Sequence, residues 1–369
     1  MSDEIQQRKA DHLRMAASAS VEGGRSAGFE DVHLLHSAVP EVELGDVDCS
    51  VDFIGRRLRL PLIISAMTGG HEEGGRVNAV LGRAAERLGI AMGVGSQRAA
   101  LVDPAVRETY AITREAAPTA FLIANIGATQ LVPQGSSAPI GHAQLVDLLQ
   151  TIRADALAIH LNPLQELVQT EGQRSARGQL DAIRALASTI DVPVVAKETG
   201  GGMRADVAAA LADAGVAAID VGGVGGTSFV AIEALRAEAR GDERGARLGT
   251  LFRDWGIPTA ASIGFACQAG VPVVATGGIR TGMDAAKAIA LGATAVGVAR
   301  PLLQAALEGD EAVAAWITRF AEELRATMFL TGSADAAALR GQPTVVVGEM
   351  AAWLRSGQRP AGDATGGDG

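Results

Sequence analysis

Between residues 61 and 300 the chain repeats one rhythm eight times: a short apolar run, a polar or glycine-rich loop, then a helical stretch. The runs are PLIISAM (61–67), IAMGVG (90–95), AFLIANIG (120–127), ALAIHL (156–161), PVVAKE (193–198), AAIDVGG (217–223), PVVATGG (272–278) and AVGVAR (295–300). They are continuously apolar, without strict alternation, as parallel strands covered on both faces are. The stretches between them carry helix stops. GMDAAKAIALG sets Ala285, Ala288 and Ile289 at helical spacing and ends on Gly292; RADVAAALADAG ends the same way on Gly215. Eight such units over about 250 residues predict an α/β fold, a TIM (β/α)8 barrel. An open doubly wound sheet is the alternative, but the G-x-G-x-x-G turn expected after its first strand is missing.

The flanks are different in kind. Residues 1–60 read as a polar N-terminal arm, then VDCSVDFIGRRLRL, whose alternation predicts a hairpin on the barrel floor. The barrel domain is expected over 61–355, with a charged insertion near 237–250 as a surface loop or lid, and a disordered tail over 356–369. No apolar run reaches the roughly 18 residues of a membrane-spanning helix. The opening MSDEIQQRKADHLRM lacks the apolar segment of a signal peptide. Cys49 and Cys267 lack any CxxC context and read as reduced, buried thiols, so a cytoplasmic protein is expected. A net charge of −10 with 3% aromatic residues argues against a nucleic-acid binder. It does not argue against a small anion held by local donors.

In such a barrel the active site lies at the C-terminal strand ends. The eight runs end in Thr68, in Ser96–Gln97–Arg98, in Asn125, in His160, Asn162, Gln165 and Glu166, in Lys197–Glu198, in GGVGGTS with Thr227, in TGGIRTG, and in VARP. Each glycine loop alone is a tight turn. Together, the loops at Gly277–Arg280 and Ala299–Arg300 offer backbone N–H groups and guanidinium groups, the usual phosphate site of the fold. Lys197, ending an apolar strand, needs a partner. Glu198 or Asp220 could pair with it, or it could face the electron-rich edge of a reduced flavin. His160 alone would be a satisfied core histidine, and Glu166 alone a helix-start acid. Side by side at a phosphate-lined mouth they point to a second anionic ligand held through Mg²⁺, which takes one or two carboxylates plus phosphate oxygens. Nothing has the spacing of a zinc site.

These motifs resemble the type 2, FMN-dependent isopentenyl diphosphate isomerases over nearly the whole chain. The resemblance is carried by RKADH (8–12), DVHLLHSAVPE (31–41), SAMTGG (65–70), GVGSQRAA (93–100), ANIGATQL (124–131), AIHLNPLQE (158–166), VAKETGGG (195–202), AIDVGGVGGTS (218–228), ATGGIRTGMDAAKAIALGA (275–293) and VARPLL (298–303). It implies interconversion of isopentenyl and dimethylallyl diphosphate on FMN that NADPH or NADH has reduced, with Mg²⁺ on the diphosphate. It implies Gln165 and His160 as catalytic residues and Glu166 as the metal ligand. Arg8, Lys9, His12, Ser96, Gln97, Arg98, His160, Asn162 and Gln165 would contact the substrate. Ala66, Met67, Thr68, Ser96, Asn125, Lys197, Thr227, Gly277, Gly278, Ile279, Arg280, Ala299 and Arg300 would cradle FMN. Homotetramers or homo-octamers are the implied assembly.

Phe229 stands where the family usually has tryptophan. QTEGQ (169–173) replaces a more usual QPEGD, and Thr199 and Gly201 replace bulkier apolar residues. None of these removes an expected contact group. An FMN-dependent 2-hydroxy acid oxidase would need a histidine base and an arginine near the end of strand 6. A nucleotide dehydrogenase would need a cysteine there. DVGGVGGTSFV offers none of the three. A flavin module without catalysis would not need Arg8, Lys9, Gln165 and Glu166.

Overall fold

The computed structural model describes residues 2–18 and 21–357. Eight parallel strands close into a barrel: β1 (Leu62–Ile64), β2 (Ala91–Gly93), β3 (Leu122–Gly127), β4 (Ala156–Leu161), β5 (Val194–Glu198), β6 (Ala218–Asp220), β7 (Val273–Thr276) and β8 (Ala295–Val298). Each pairs with its sequence neighbours, and β8 closes on β1 with Val296 opposite Leu62. All eight coincide with the apolar runs. Both helix stops are observed as well. Gly292 (φ +113°) and Gly215 (φ +89°) adopt the left-handed conformation that ends a helix, and the N–H of Ala293 reaches back to Ala288 O at 3.0 Å.

Alternation sorts each strand into two faces. Leu157 and Ile159 of β4 join the outer core against the helices, with Leu62, Ile64, Leu122, Ile126 and Ile219. Ala156 and Ala158 face inward, with Ile63, Ala91, Ile123, Val195, Ala218, Val274 and Ala295. So many alanines leave room inside the barrel. The hairpin Val51–Phe53/Arg56–Leu58 fills it from below, placing Val51, Phe53 and Leu58 in the same inner cluster. Its turn, Ile54–Gly55, has positive φ at both residues (46° and 77°), as a two-residue hairpin requires. Phe53 is fully buried and meets Phe121 edge-to-face at 6.0 Å. Phe53→Ala should therefore cost about 3–5 kcal/mol of stability, measurable by denaturant unfolding, because the barrel wall cannot collapse around the void.

The charged stretch at 237–250 is not a loop. It is the junction of two helices, α3 (Phe229–Ala239) and α4 (Glu243–Leu251). Ser228 caps α3 and Asp242 caps α4, accepting from Gly245 N at 2.9 Å. Gly241 (φ +71°) makes the turn. Gly245 and Gly249 face Ala237 and Ala234, so the helices pack closely and the charges stay on the outer side. The N-terminal arm is also helical, α1 (Ser2–Ser18). It contributes Leu13 to the core and lies over the barrel mouth. Cys49 is buried beside Met328, and Cys267, expected to be buried, is only half-buried; both are free thiols. Of the expected tail, Ser356 and Gly357 finish the last described helix (Gly348–Gly357), and 358–369 lie outside the described residues.

Candidate active site at the barrel mouth

Alternation along the strands also builds the floor of the site. One step beyond the inner apolar layer, the next inward positions are Ser65, Asn125, His160, Lys197, Asp220 and Thr276. His160 Nδ1 and Asn125 Oδ1 are 2.8 Å apart, and Asn125 Nδ2 donates to Val94 O at 3.2 Å. With its amide so oriented, Asn125 accepts from His160, which leaves Nε2 of a neutral imidazole toward the mouth. Burial, joined by Lys9, Lys197, Arg8 and Arg98, pushes the His160 pKa down to about 3. Lys197 Nζ donates to Asp220 Oδ2 at 2.8 Å, with side-chain exposures of 12% and 9%. This settles which carboxylate pairs with Lys197. Glu198 instead accepts the N–H groups of Gly200, Gly201 and Gly202.

The rim is set by short loops and by α2 (Pro163–Val168), which starts directly after β4. Gln165 and Glu166 are both tied to Asn162, whose Nδ2 donates to Gln165 Oε1 at 3.3 Å and to Glu166 Oε1. Glu166 is buried, accepts from Asn162 Nδ2 (3.1 Å) and Gln173 N (2.6 Å), and lies in the field of Arg8 and Arg98. Burial raises its carboxyl above the usual range. Gln165 Nε2 donates to Glu233 of α3 at 3.0 Å. From above, α1 brings Arg8, Lys9 and His12. Lys9 Nζ donates to Ser96 O at 3.0 Å, and the Tyr110 hydroxyl donates to the same carbonyl at 2.7 Å. Burial, with Arg8 and Arg98 nearby, lowers the Lys9 pKa to about 7. A chain of net charge −10 thus carries a strongly cationic pocket.

Every expected site residue lines this one cavity except Gln97. Gln97 is fully buried below it, with Nε2 donating to Leu148 O (3.0 Å) and Oε1 accepting from Asn125 N (3.3 Å). It shapes the loop that presents Ser96 and Arg98 and does not reach the cavity. Thr68 lines the cavity, but its hydroxyl is turned away to Asn78 Oδ1 at 2.7 Å. Ala66, Met67, Asn125, Thr227, Gly277, Gly278, Ile279, Arg280, Ala299 and Arg300 surround the side formed by β1, β3 and β6–β8. There Arg280 Nη2 (2.8 Å) and Arg300 Nη1 (2.9 Å) both donate to one carboxylate oxygen, Glu22 Oε1.

Two residues were not anticipated from sequence. Glu233, 1% exposed, accepts from Gln165, from His12 Nε2 (2.9 Å) and from Arg236. Burial opposes its charge, but those donors prevail and hold its carboxyl near 2. Gln169, with its amide set to satisfy both neighbours, links Arg8 and Glu233. The signal for Glu233 was present: an i,i+3 Glu–Arg pair inside the apolar stripe Val230, Ala231, Ile232, Ala234 and Ala237.

Residues 133–346 match the family model described as FMN-dependent dehydrogenase. The chain is 48% identical to the isopentenyl-diphosphate delta-isomerase of Methanosarcina barkeri, over 95% of this chain and 94% of that protein. It is 46% identical to the protein of that name from Methanothermobacter thermautotrophicus, over 95% and 96%. Among solved structures, a putative lactate oxidase of Pediococcus acidilactici aligns with a TM-score of 0.66 at 16% identity, covering 94% of each chain. A mandelate oxidase variant solved with an FMN monooxide adduct aligns at 0.61 and 20%, covering 94% of this chain and 99% of that one. At such identities the two oxidases share the fold alone.

Proposed function

The chain belongs to the isopentenyl-diphosphate delta-isomerases, and from that premise we propose that its cavity holds reduced FMN against β6–β8 and the substrate diphosphate beneath α1, with Mg²⁺ at Glu166. The observation that carries this division is the placing of two donor sets on opposite sides of the barrel mouth. Arg280 and Arg300, after β7 and β8, converge on one anionic oxygen, while Glu166, after β4 across the barrel, lies beside the buried and unpartnered Asn162 Oδ1.

The donor set fits each group. Arg280 and Arg300 already share one anionic oxygen, as a phosphate would require. Lys197 would supply the cation a reduced, anionic ring needs, and the buried hydroxyls of Ser65 and Thr276 have no partner among the described residues. For the metal, Asn162 Oδ1 is buried without a partner while its Nδ2 donates to Glu166. Two hard oxygens, completed by diphosphate oxygens and water, suit Mg²⁺. Among the described residues no cluster of three His, Cys, Asp or Glu could hold a metal by itself, so the substrate would be part of the site.

The reaction adds a proton at C4 of isopentenyl diphosphate and removes one from C2. An unactivated alkene is a very weak base, and glutamine is a poor acid. Reduced FMN, when bound, supplies the acid–base partner that the side chains lack. The chain's own residues then have defined tasks. Arg8, Lys9 and Arg98 neutralise the diphosphate, His160 and Asn162 border it, and Gln165 lies at the hydrocarbon end, fixed by Glu233. α1 covers the mouth and limits water. NADPH or NADH as reductant, a cytoplasmic location and a homotetramer or homo-octamer complete the reading by resemblance; among the described residues no helix is long and apolar enough to cross a membrane.

Purified protein should be yellow and should isomerise isopentenyl diphosphate only with a flavin reductant and Mg²⁺. Colourless protein, inert after FMN, NADPH and Mg²⁺ are supplied, would overturn the reading. Lys9 gives a further expectation. Burial first, then Arg8 and Arg98, cost it part of its proton in the free protein above pH 7, and a diphosphate beside it raises its pKa again. Binding of inorganic pyrophosphate at pH 8 should therefore take up close to one proton more in the wild type than in Lys9→Met, read by calorimetry in two buffers of different ionisation enthalpy. The comparison cancels the protons that pyrophosphate itself releases on meeting the cationic site, and equal uptake in the two proteins would remove Lys9 from that site.

A further inference from the structure

We propose that the Glu22 carboxylate is a built-in competitor for the flavin phosphate, holding the Arg280 and Arg300 guanidiniums until the phosphate displaces it. The inference rests on the reading of Gly277–Arg280 and Ala299–Arg300 as the phosphate cradle.

One oxygen of Glu22 lies 2.8 Å from Arg280 Nη2 and 2.9 Å from Arg300 Nη1. A carboxylate and a phosphate monoester present the same acceptor chemistry to a guanidinium. The carboxylate is delivered by residues 21–27, a strap laid across the loops after β6 and β7. Ser228 N donates to Val21 O (2.8 Å), Arg253 Nη2 to Glu22 O (3.0 Å), and Ala260 N to Ala27 O (2.9 Å). Glu22 and Thr227 form an antiparallel bridge. Close approach is built into the glycines beneath. Gly225 (φ +119°) and Gly278 (φ +76°) would each drive a Cβ into Ala27. The strap's backbone is therefore fixed, while the Glu22 side chain, 45% exposed, is free to swing into solvent.

Its partial exposure decides the strength of the device. Ion pairs in contact with water are weak. A phosphate dianion, held by both guanidiniums and by loop N–H groups, outcompetes a single carboxylate. Two anions cannot share one guanidinium pair without repulsion, so Glu22 turns outward when the phosphate enters. Without flavin, the same carboxylate keeps two arginines paired. With flavin, its expulsion lowers the net affinity.

The test is a titration of flavin-free protein with FMN and with riboflavin, which lacks the phosphate, followed by flavin fluorescence quenching in wild type and Glu22→Gln. The variant should bind FMN roughly three- to tenfold tighter while riboflavin binding stays unchanged. Inorganic phosphate should also raise the melting temperature of the flavin-free variant more than that of wild type. Unchanged or weaker FMN binding in Glu22→Gln, with both proteins still preferring FMN to riboflavin, would overturn the competitor role alone. If neither protein distinguishes FMN from riboflavin, the cradle reading itself fails.

Discussion

Glu166→Gln should lower kcat/KM for isopentenyl diphosphate by about 10²-fold or more at limiting Mg²⁺, because under the proposed reading it removes the metal's one charged protein ligand from a buried setting. The substitution keeps the side chain's size and an acceptor for the Gln173 N–H, so the fold should persist. Flavin should remain bound, since Glu166 lies on α2, away from the loops of β6–β8. Excess Mg²⁺ should recover part of the rate. The pH dependence follows from the same carboxyl. Burial raises its pKa in the free protein, and a cation binds only the ionised form. Mg²⁺ affinity of the wild type should therefore rise with pH and fall as the carboxyl takes up its proton. In Glu166→Gln the part of that dependence set by this carboxyl should be lost, leaving only the part set by the diphosphate. A variant that loses its yellow colour instead would place Glu166 in the flavin site.

The barrel was legible because its evidence is repeated. Eight apolar runs with eight polar ends leave few arrangements, and the period of two along each strand sets the floor of the site before any loop is considered. His160 follows Ala156 and Ala158 on the inward face, and Lys197 follows Val195, so their contact with one cavity is a consequence of the pleat. What was not legible lay in segments dominated by polar or charged residues. Helix α1 packs through Lys9, His12 and Leu13, a mostly polar face with no apolar stripe, and reads from sequence as an arm. The α3–α4 pair was hidden by charge, since close packing at Gly245 and Gly249 needs no large apolar residue. Gln97 shows a different limit. Motif resemblance locates the loop, but whether a side chain points into the cavity or under it depends on packing against the helix that carries Leu148.

Glu233→Ala should cost about 2–4 kcal/mol of stability and lower kcat by roughly 10–100-fold with a smaller change in KM. The stability term follows from burial. Removing the carboxylate leaves Arg236, 4% exposed on its side chain, with Glu171 at 3.0 Å as its remaining close partner, and leaves His12 without its acceptor. The rate term follows from Gln165. Its Nε2 is held by Glu233 Oε1 at 3.0 Å; without that acceptor it keeps the longer bond from Asn162 Nδ2 to its Oε1 (3.3 Å), and the side chain can rotate away from the place proposed for it at the hydrocarbon end of the substrate. Glu233→Gln separates the two effects. A neutral amide still accepts from Gln165 but no longer balances Arg236, so kcat should recover further than stability does. Denaturant unfolding beside steady-state kinetics on both variants gives the comparison. If Glu233→Ala keeps the wild-type kcat once saturated with substrate, Glu233 only stabilises α3, and Gln165 is not held in place for the reaction.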